Sequence, residues 1–443
     1  MSQGATGNPH AQRDGVLEVA RAWICGCSRS IIKAARSYDA SGPMRILKVC
    51  QAYYPYLAEG GPPVKIRGIA RALALLGHRI TVLTAYLGPL NGDGRLPVER
   101  AAWGWRANAG AVETIYLKTQ LRYRVLTLNP GVVSFCRERL REFDIVHVYG
   151  LYDLLGPAVG WFCRRWKTPY VVEPLGMTRP IDRSFWLKSV WKKFLGRDYL
   201  RNAARLIATS RQECEELVGE GFPSEKILVR YNGVDGEDFS TLPTRGAFRR
   251  TAGIPDDQPM ILFLGRLVPR KGADFLIEAL PQVADGKARL VIAGPEGENG
   301  YLEFLKKKAC TLRVEHRVLF AGPLYEESKK AALVDADVFV LASRYENFGN
   351  SAAEAVACGT PVVVSDRCGI AGLVDRRAGL VTSYDAPAIA HALNELLGNR
   401  TLYERLKTGC AGVAREMLWD GLAETMQRCY ADVREHVLRQ SSV

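Results

Sequence analysis

Short apolar runs rich in β-branched residues recur along the chain, and longer amphipathic segments separate them. The first run is RILKVC at 45–50, and the segment that follows at 64–77 has apolar residues at helical spacing. Later runs of the first half lie at 79–84, 112–117, 144–149, 169–174, 205–210 and 226–231. A second series lies at 260–265, 288–294, 317–322, 337–343, 360–366 and 379–383. This alternation predicts parallel sheets that helices cover on both faces.

Turn-forming and polar residues at 231–246 interrupt the alternation, which is typical of a linker. We therefore predict an α/β chain with two Rossmann-like domains, at 44–240 and 241–415, and a terminal helical segment at 416–443. Residues 1–43 lack the pattern, and we interpret them as an extension that is disordered or not native. Ligands of open parallel sheets bind at the carboxyl ends of the strands, so we expect the site in loops that face a cleft between the domains.

Charge and cysteine content narrow the class of protein. The 443 residues include 60 Lys and Arg against 47 Asp and Glu, a formal net charge of +13 that favours an anionic partner. That partner can be a nucleic acid, an acidic membrane surface or a phosphorylated small molecule. The eleven cysteines lack zinc-ligand spacing, so we expect free thiols in a reducing compartment. No apolar run approaches the roughly 20 residues of a membrane-spanning helix, and we predict a cytoplasmic protein.

Two features of the first half are candidates for function. Gly60 and Gly61 run directly into a helix, where a glycine pair lets backbone N–H groups approach a phosphate or a sugar. An ordinary strand-to-helix loop explains the same pair equally well. His147 lies in an apolar strand near its carboxyl end, and such a histidine is more often a hydrogen-bonded core residue than a catalytic one.

Two further patterns concern anions and metals. Arg266 and Lys271 bracket a turn between a buried strand and a helix, and a guanidinium, an ammonium and a helix N-terminus together suit a diphosphate. Asp335 and Asp337 imitate the DxD metal site of some nucleotide-sugar enzymes. They join a helix end to a buried strand, however, so a structural role is favoured and we predict no metal site.

The stretch RYENFGNSAAEAVACG at 344–359 carries two carboxylates, Glu346 and Glu354. Asn350 or Ser351 is the predicted N-cap of a helix through 352–357. Glu354 then falls in the first turn, where an acid suits the helix dipole and has a structural explanation. Glu346 lies in the loop and has no such explanation. Two acids beside an expected anion site suggest hydrogen bonds from the hydroxyls of a sugar.

These residues resemble glycosyltransferase family 4. The resemblance covers roughly residues 44–415 and is most specific in GRLVPRKG at 265–272 and SRYENFGNSAAEAVACGTPVVVSD at 343–366. It continues through NGVD at 232–235, AGP at 321–323 and the glycine pair. The resemblance implies a GT-B fold, in which two Rossmann-like domains face each other, and a retaining transferase. It also implies that the donor is a nucleoside diphosphate sugar and that neither a metal nor another cofactor is needed.

Roles for individual residues follow from the resemblance alone. It implies that Arg266 and Lys271 bind the diphosphate, that Glu354 binds the ribose, and that Glu346 contacts the donor sugar beside its anomeric carbon. His147 matches the family's histidine that reaches the sugar, which makes it a catalytic candidate with Glu346, Arg266 and Lys271. The other implied donor-binding residues are Gly60, Gly61, Leu324, Phe348, Gly349 and Asn350.

The function that this implies is transfer of a hexose-type sugar from a UDP- or GDP-sugar to a glycan or lipid-linked acceptor, in cell-surface polysaccharide or glycolipid synthesis. The aromatic and basic segment 184–200 indicates a helix on an anionic membrane surface, or equally a core helix with a basic outer face. We expect the protein in the cytoplasm, with a peripheral position on the inner face of the membrane as the further expectation.

Two alternative functions remain open. A nucleic-acid-binding protein leaves Glu346 and Glu354 unexplained, so no nucleic-acid partner is expected. A nicotinamide-dependent Rossmann protein needs a tight GxGxxG that the first strand does not offer.

Overall fold

The computed structural model describes residues 42–56, 61–88, 98–123, 126–177 and 196–441, and the chain divides into two compact units. We call the described residues up to Gly233, together with Trp419–Ser441, the N-terminal unit. Val234–Leu418 form the C-terminal unit.

The N-terminal unit has eleven strands and six α-helices among its described residues. The strands are β1 (Arg45–Val49), β2 (Arg79–Ala85), β3 (Val98–Ala101), β4 (Gly104–Ala109), β5 (Val112–Leu117), β6 (Leu121–Tyr123), β7 (Leu126–Leu128), β8 (Ile145–Tyr149), β9 (Tyr170–Glu173), β10 (Arg205–Ala208) and β11 (Ile227–Val229). The helices are α1 (Gly61–Leu75), α2 (Gly131–Arg139), α3 (Leu155–Trp166), α4 (Arg197–Asn202), α5 (Arg211–Gly219) and α15 (Trp419–Ser441).

Nine of these strands form one sheet in the order β11-β10-β9-β8-β1-β2-β5-β4-β3. The strands from β11 to β5 are parallel, and β4 and β3 add an antiparallel edge. The inner parallel strands are buried because both faces are covered, as in β8, whose five residues are all buried, whereas the edge strand β11 is partly exposed. Strands β6 and β7 form a separate antiparallel hairpin.

The terminal helix α15 belongs to the N-terminal unit although 185 residues separate it from Gly233 in the chain. It packs beside α1, and Trp419, Met426 and Tyr430 are buried in the same core cluster as Ile66. Gly68 and Gly233 make room for the indole of Trp419, because a Cβ atom at either position would lie within 2.4 Å of that ring.

The C-terminal unit repeats the alternation. Its strands are β12 (Met260–Leu264), β13 (Arg289–Ala293), β14 (Val318–Gly322), β15 (Val338–Leu341), β16 (Val362–Ser365) and β17 (Gly379–Thr382). Its α-helices are α6 (Gly236–Ser240), α7 (Ala247–Ala252), α8 (Ala273–Ala279), α9 (Tyr301–Thr311), α10 (Glu326–Asp335), α11 (Asn350–Ala357), α12 (Ala371–Val374), α13 (Ala386–Gly398) and α14 (Arg400–Glu416). All six strands are parallel, in the order β14-β13-β12-β15-β16-β17.

The strands predicted from apolar runs are confirmed, each to within two residues at either end. The sequence missed β3, β4, β6 and β7, because these short antiparallel strands alternate apolar with polar residues or carry few apolar ones. Nine cysteines of the described ranges are free thiols, as expected. No helix among the described residues is long and apolar enough to cross a membrane.

Candidate functional site

Three loops come together at the carboxyl edge of the C-terminal sheet. They follow β12, β15 and β16, which are neighbours in the sheet, so their carboxyl ends meet at one place. Backbone hydrogen bonds join them: the Arg344 N–H donates to the Arg270 carbonyl at 2.8 Å, and the Glu346 N–H donates to the Arg367 carbonyl at 3.0 Å. The Gly369 N–H in turn donates to the Glu346 carbonyl at 2.9 Å. The loop that carries Glu346 is therefore fixed on both sides.

The loop after β12 is shaped by a glycine. Gly272 has a φ of +72°, and a Cβ atom there would lie 1.8 Å from the carbonyl oxygen of Ala342. Only glycine fits, and it lets the short 3₁₀ turn Pro269–Lys271 lie against the end of β15. This turn carries the predicted phosphate ligand Lys271, and the exposed Arg266 lies three residues before it, just after β12.

Lys271 and Glu346, two of the predicted site residues, form an ion pair. Their side chains are 16% and 21% exposed, so the pair is partly shielded from water but open to a ligand. The structure thus brings together one predicted phosphate ligand and the carboxylate for which the sequence offered no structural explanation.

The start of α11 differs from the prediction that Asn350 or Ser351 is its N-cap. The N-cap is Gly349, with a φ of 110°, and the helix begins at Asn350. A Cβ at Gly349 would lie 3.2 Å from Ile370, so both the backbone angle and the crowding require glycine. Because the helix begins earlier than expected, Glu354 is its fifth residue. The prediction that Glu354 lies in the first turn, where the dipole alone would explain it, is therefore wrong.

Glu354 instead has a specific partner. Its Oε1 lies 2.9 Å from the Nζ of Lys329, which is on the neighbouring helix α10. The two side chains are 23% and 27% exposed. The sequence did not single out Lys329, because Lys330 beside it has the same chemistry. Lys330 pairs with Glu327 within its own helix, at 3.1 Å, and only tertiary packing separates the two lysines.

Two other predicted donor residues lie at the same edge. Phe348 is 2% exposed, and its carbonyl accepts a hydrogen bond from the Ile370 N–H at 2.7 Å. Its backbone therefore positions the turn before α11, while its ring belongs to the core. Leu324 is half-buried in the segment between β14 and α10.

The predicted site residues of the N-terminal unit are Gly60, Gly61 and His147. Gly61 is the first residue of α1, and Gly60 and the segment 184–195 lie outside the described residues. His147 is fully buried in the middle of β8. Its Nδ1 lies 2.6 Å from the hydroxyl of Tyr430, and its Nε2 lies 3.5 Å from Glu173. These are the contacts of a hydrogen-bonded core histidine; contact with a sugar stays a prediction.

His147 belongs to a buried cluster of charged groups. Glu173 at the end of β9 forms ion pairs with Lys65 of α1 and with Arg230, which follows β11. Burial would raise the pKa of Glu173, but the two cations hold it well below its ordinary value. Burial lowers the pKa of His147 to about 3, so its imidazole is neutral. No sequence pattern indicates this cluster, since its members come from distant segments.

Burial also acts on the lysines of this cluster. It lowers the pKa of Lys48 to about 7, with Arg230 adding to the effect, and the pKa of Lys65 to about 8. The Nζ of Lys48 lies 2.7 Å from the hydroxyl of Tyr149. In this cluster, the basic side chains of Lys48, Lys65 and Arg230 thus surround the carboxylate of Glu173.

The two acids of the DxD-like pattern bind protein groups. Asp335 accepts hydrogen bonds from the backbone N–H groups of Gly246 and Arg249. Asp337 forms ion pairs with Arg245 and Arg249, at 2.9 and 2.6 Å. Both carboxylates thus tie α7 to the end of α10 and the start of β15.

Solved structures share this architecture. Anabaena HepE in complex with UDP aligns with a TM-score of 0.70 over 88% of this chain and 100% of that chain, at 20% identity. Sucrose-phosphate synthase from Thermosynechococcus elongatus aligns with a TM-score of 0.65 over 88% and 99%, at 21% identity. Two parallel-sheet α/β units with these neighbours define the GT-B fold, as predicted.

The sequence comparisons identify the family. A family model described as "Glycosyl transferase 4-like domain" matches residues 60–233, and one described as "Glycosyl transferases group 1" matches residues 244–410. A D-inositol 3-phosphate glycosyltransferase of Xylanimonas cellulosilytica is 31% identical over 389 residues, which are 84% of this chain and 91% of the relative. An uncharacterized glycosyltransferase of Methanocaldococcus jannaschii is 28% identical over 87% of this chain and 98% of its own length. The chain belongs to glycosyltransferase family 4 and is a transferase.

Proposed function

We propose that this enzyme is a retaining transferase that moves a hexose-type sugar from a UDP- or GDP-sugar to a glycan or lipid-linked acceptor. The observation that supports it is the pairing of two carboxylates with two lysines at one edge of the C-terminal sheet. Glu346 pairs with Lys271, and Glu354 pairs with Lys329. A nucleoside diphosphate sugar carries the groups that both kinds of residue bind, since its phosphates suit the ammonium groups and its hydroxyls suit the carboxylates.

In the proposed reaction, the bond between the anomeric carbon and the diphosphate oxygen breaks. The acceptor hydroxyl forms its bond on the same face of the sugar, and its proton passes to the departing phosphate oxygen. Negative charge grows on the diphosphate, and Arg266 and Lys271 stabilise it. As the ammonium of Lys271 turns toward phosphate, Glu346 becomes available to the sugar hydroxyls. We assign Glu346 to positioning and electrostatic stabilisation, with a nucleophilic role as the alternative.

Glu354 is proposed to bind the ribose. Lys329 holds its Oε1, which leaves Oε2 to accept a hydrogen bond from a ribose hydroxyl. Lys329 is then a positioning residue. Gly349 and Asn350 place the N-terminus of α11 beside these groups, where backbone N–H groups and the helix dipole favour an anion. The proposal needs no metal and no cofactor beyond the donor itself.

For the acceptor, relatives named D-inositol 3-phosphate glycosyltransferase make a phosphorylated cyclitol the first small acceptor to test. We retain a glycan or lipid-linked acceptor in cell-surface polysaccharide or glycolipid synthesis as the broader proposal. With it goes a cytoplasmic location and a peripheral position on the inner face of the membrane.

The test is a binding and activity screen with UDP-, GDP- and ADP-sugars on the wild type, Glu346→Ala and a matched control. Glu395→Ala is that control, since Glu395 also lies in a partly exposed ion pair, with Arg376 at 2.7 Å. We expect one donor series to stabilise the wild type and the control. We expect Glu346→Ala to lower kcat by about 10²-fold or more, the size typical of a lost transition-state contact. The anomeric configuration of the product, read by NMR, tests retention. If neither a UDP-sugar nor a GDP-sugar binds the wild type, the proposed donor is wrong.

A further inference from the structure

Each of the three loops that meet at the carboxyl edge of the C-terminal sheet carries an arginine that the proposed donor chemistry does not use. Arg270 follows β12, Arg344 follows β15 and Arg367 follows β16. The Arg344 N–H donates to the carbonyl of Arg270, and the Arg367 carbonyl accepts from the N–H of Glu346, two residues after Arg344. We call these three residues the arginine row, because the backbone bonds place them on neighbouring loops.

Tyr384, in the loop after β17, completes this row. The guanidinium carbon of Arg367 lies over its ring, 5.1 Å from the centroid, and the ring of Phe275 from α8 packs against it with centroids 4.6 Å apart. Burial raises the pKa of Tyr384, and nearby Asp274 adds to the effect. Arg344 and Arg367 act in the opposite direction, so both guanidinium groups lie near the phenol. The hydroxyl keeps its proton at neutral pH and can donate a hydrogen bond.

The arginine row has few acidic partners. Within the ranges that the structure describes, the side chains of Arg270 and Arg344 form neither an ion pair nor a hydrogen bond, and Arg344 is exposed. Asp366 lies 4.0 Å from the Nε of Arg367, which is beyond hydrogen-bond distance. Asp274 already accepts a hydrogen bond from a tyrosine hydroxyl of α9, at 2.8 Å. The guanidinium groups therefore have donors available for a ligand.

The positive charge is confined to this edge. Residues 234–418 contain 23 Lys and Arg against 24 Asp and Glu, so the C-terminal unit is close to neutral. The three loops, at 265–272, 343–349 and 366–370, contain five Lys and Arg against two Asp and Glu. An exposed charge is usually just solvated, but a local excess of cations held beside an aromatic ring is typical of an anion site.

The arginine row is separate from the helix N-terminus proposed for the diphosphate. Strands β12, β13 and β14 follow one another in one direction across the sheet, and β15, β16 and β17 follow in the opposite direction. Because such crossovers are right-handed, α8 and α11 cover opposite faces of the sheet. Tyr384 contacts α8, whereas the diphosphate is proposed at the start of α11. Along the connecting loop Arg344 comes first, then Glu346, then α11, so an anion at the row would lie beside the transferred sugar.

The chemistry of the row indicates which anions fit. A guanidinium group pairs through two parallel N–H bonds with the oxygens of a carboxylate or a phosphate, and stacking on an aromatic ring holds it in one orientation. The proposed donor, a hexose on UDP or GDP, has no charge beyond its diphosphate. The acceptor is therefore the substrate that can bring a second anionic group to this edge.

We propose that Arg344 and Arg367, with Tyr384 beside them, bind a phosphate or carboxylate group of the acceptor, so that the enzyme acts on an anionic acceptor in preference to a neutral glycan. The assignment to the acceptor rests on the proposed transferase reaction. Binding of the anion at the row does not depend on it.

The test compares two double variants of the full chain. Arg344→Gln with Arg367→Gln removes two charges from the row. Arg250→Gln with Arg405→Gln is the matched control, because these exposed arginines belong to the same unit, lie outside the three loops and change the net charge equally. The probes are glucose 6-phosphate, glucuronate and glucose, titrated by ligand-observed NMR in an excess of UDP and GDP that fills a nucleotide site. Thermal unfolding confirms that each variant is folded.

We expect the wild type and the control to bind at least one charged sugar at least tenfold more tightly than glucose, and high salt to weaken that binding. The row variant should lose at least tenfold in affinity for the charged sugar, since charge-assisted hydrogen bonds are lost, and should bind glucose as the control does. The comparison of glucose 6-phosphate with glucuronate distinguishes a phosphate from a carboxylate. In transfer assays the row variant should raise the KM for a charged acceptor at least tenfold.

Three outcomes would overturn the proposal. The first is a wild type that binds neither charged sugar more tightly than glucose. The second is equal binding of the charged sugars by the row variant and the control. The third is a row variant that loses only the binding of a UDP- or GDP-uronic acid, which would place the anion on the donor. Binding of UDP and GDP, measured on the same samples, reports separately on the donor proposal, and its failure would leave the result for the anion standing.

Discussion

The buried carboxylate of Glu173 allows a quantitative test of how the N-terminal unit is held together. The substitution Glu173→Gln keeps the size of the side chain and removes its charge. Glu173 and Arg230 are fully buried and Lys65 is 4% exposed, so water cannot replace the lost charge. The single oxygen of glutamine can accept from one cation, while its amide group presents donors to the other.

Removing one partner of a buried ion pair costs about 3–5 kcal/mol, because the remaining charge stays buried without compensation. A folded domain has only about 5–15 kcal/mol of stability in all. For a unit of about 200 residues, each kcal/mol shifts the melting temperature by roughly 2–4 °C, so we expect a fall of roughly 6–20 °C. This would make Glu173→Gln among the most destabilising single changes in the chain.

The assay is urea and thermal unfolding at pH 7, followed by circular dichroism and tryptophan fluorescence. The control is Glu303→Gln, since Glu303 is 63% exposed in its pair with Lys306 and its loss should leave the stability nearly unchanged. Adding Lys65→Met to Glu173→Gln removes one unpaired cation and should restore part of the loss. A loss below about 1 kcal/mol in Glu173→Gln would show that water screens the cluster. The reasoning from burial would then be wrong.

Three further predictions concern single positions. Gly272→Ala should destabilise the C-terminal unit by more than about 1 kcal/mol in thermal unfolding, because Gly272 has a left-handed backbone and lies close to the carbonyl oxygen of Ala342. Its control is Gly412→Ala, which should be neutral or stabilising because Gly412 has open space around it and no positive φ. Lys329→Met should raise the KM for the donor about three- to tenfold with a smaller change in kcat, whereas Lys330→Met should leave both unchanged in steady-state assays. Lys48 loses its proton near pH 7 when folded but near 10.5 when unfolded, so the unfolded chain binds more protons and stability rises with pH in that window. Its share is about 2 kcal/mol between pH 7 and 9, and Lys48→Met should remove that share in urea titrations at the two pH values.

Each of these has an outcome that contradicts it. Equal stability of Gly272→Ala and Gly412→Ala would mean that the loop relaxes at no cost. An unchanged KM in Lys329→Met would show that donor binding does not depend on the Lys329–Glu354 ion pair. A Lys48→Met variant with the same rise of stability from pH 7 to 9 as the wild type would mean that another group carries the pH dependence.

Much of the candidate site could be predicted from sequence because it is local. Lys271 and Glu346 lie in loops that directly follow strongly apolar strands, and adjacent parallel strands bring such loops to one edge. Turn chemistry was harder to predict. The polar residues Asn350 and Ser351 looked like N-caps, but Gly349 takes that position, because it is crowded by Ile370, which lies 21 residues further along the chain.

Features that depend on distant segments could not be predicted. Lys329 and Lys330 are chemically the same in sequence, and only the packing of α10 beside α11 gives Lys329 its contact with Glu354. The hairpin shows the same limit, since the alternation in β6 and β7 does not reveal which of its two faces is buried. The Thr127 hydroxyl donates a hydrogen bond to Asn129 and accepts one from Gln51, and these bonds hold the polar face inward while the leucines are exposed.

The sequence by itself determined the α/β class, the positions of the parallel strands and the loops where the chemistry lies, because apolar periodicity and turn residues act over a few neighbouring positions. The tertiary structure alone decided that α15 joins the N-terminal unit and that Glu173, Lys65 and Arg230 share one buried cluster. Burial and ion pairing depend on segments far apart in the chain, and no local pattern records which of them meet.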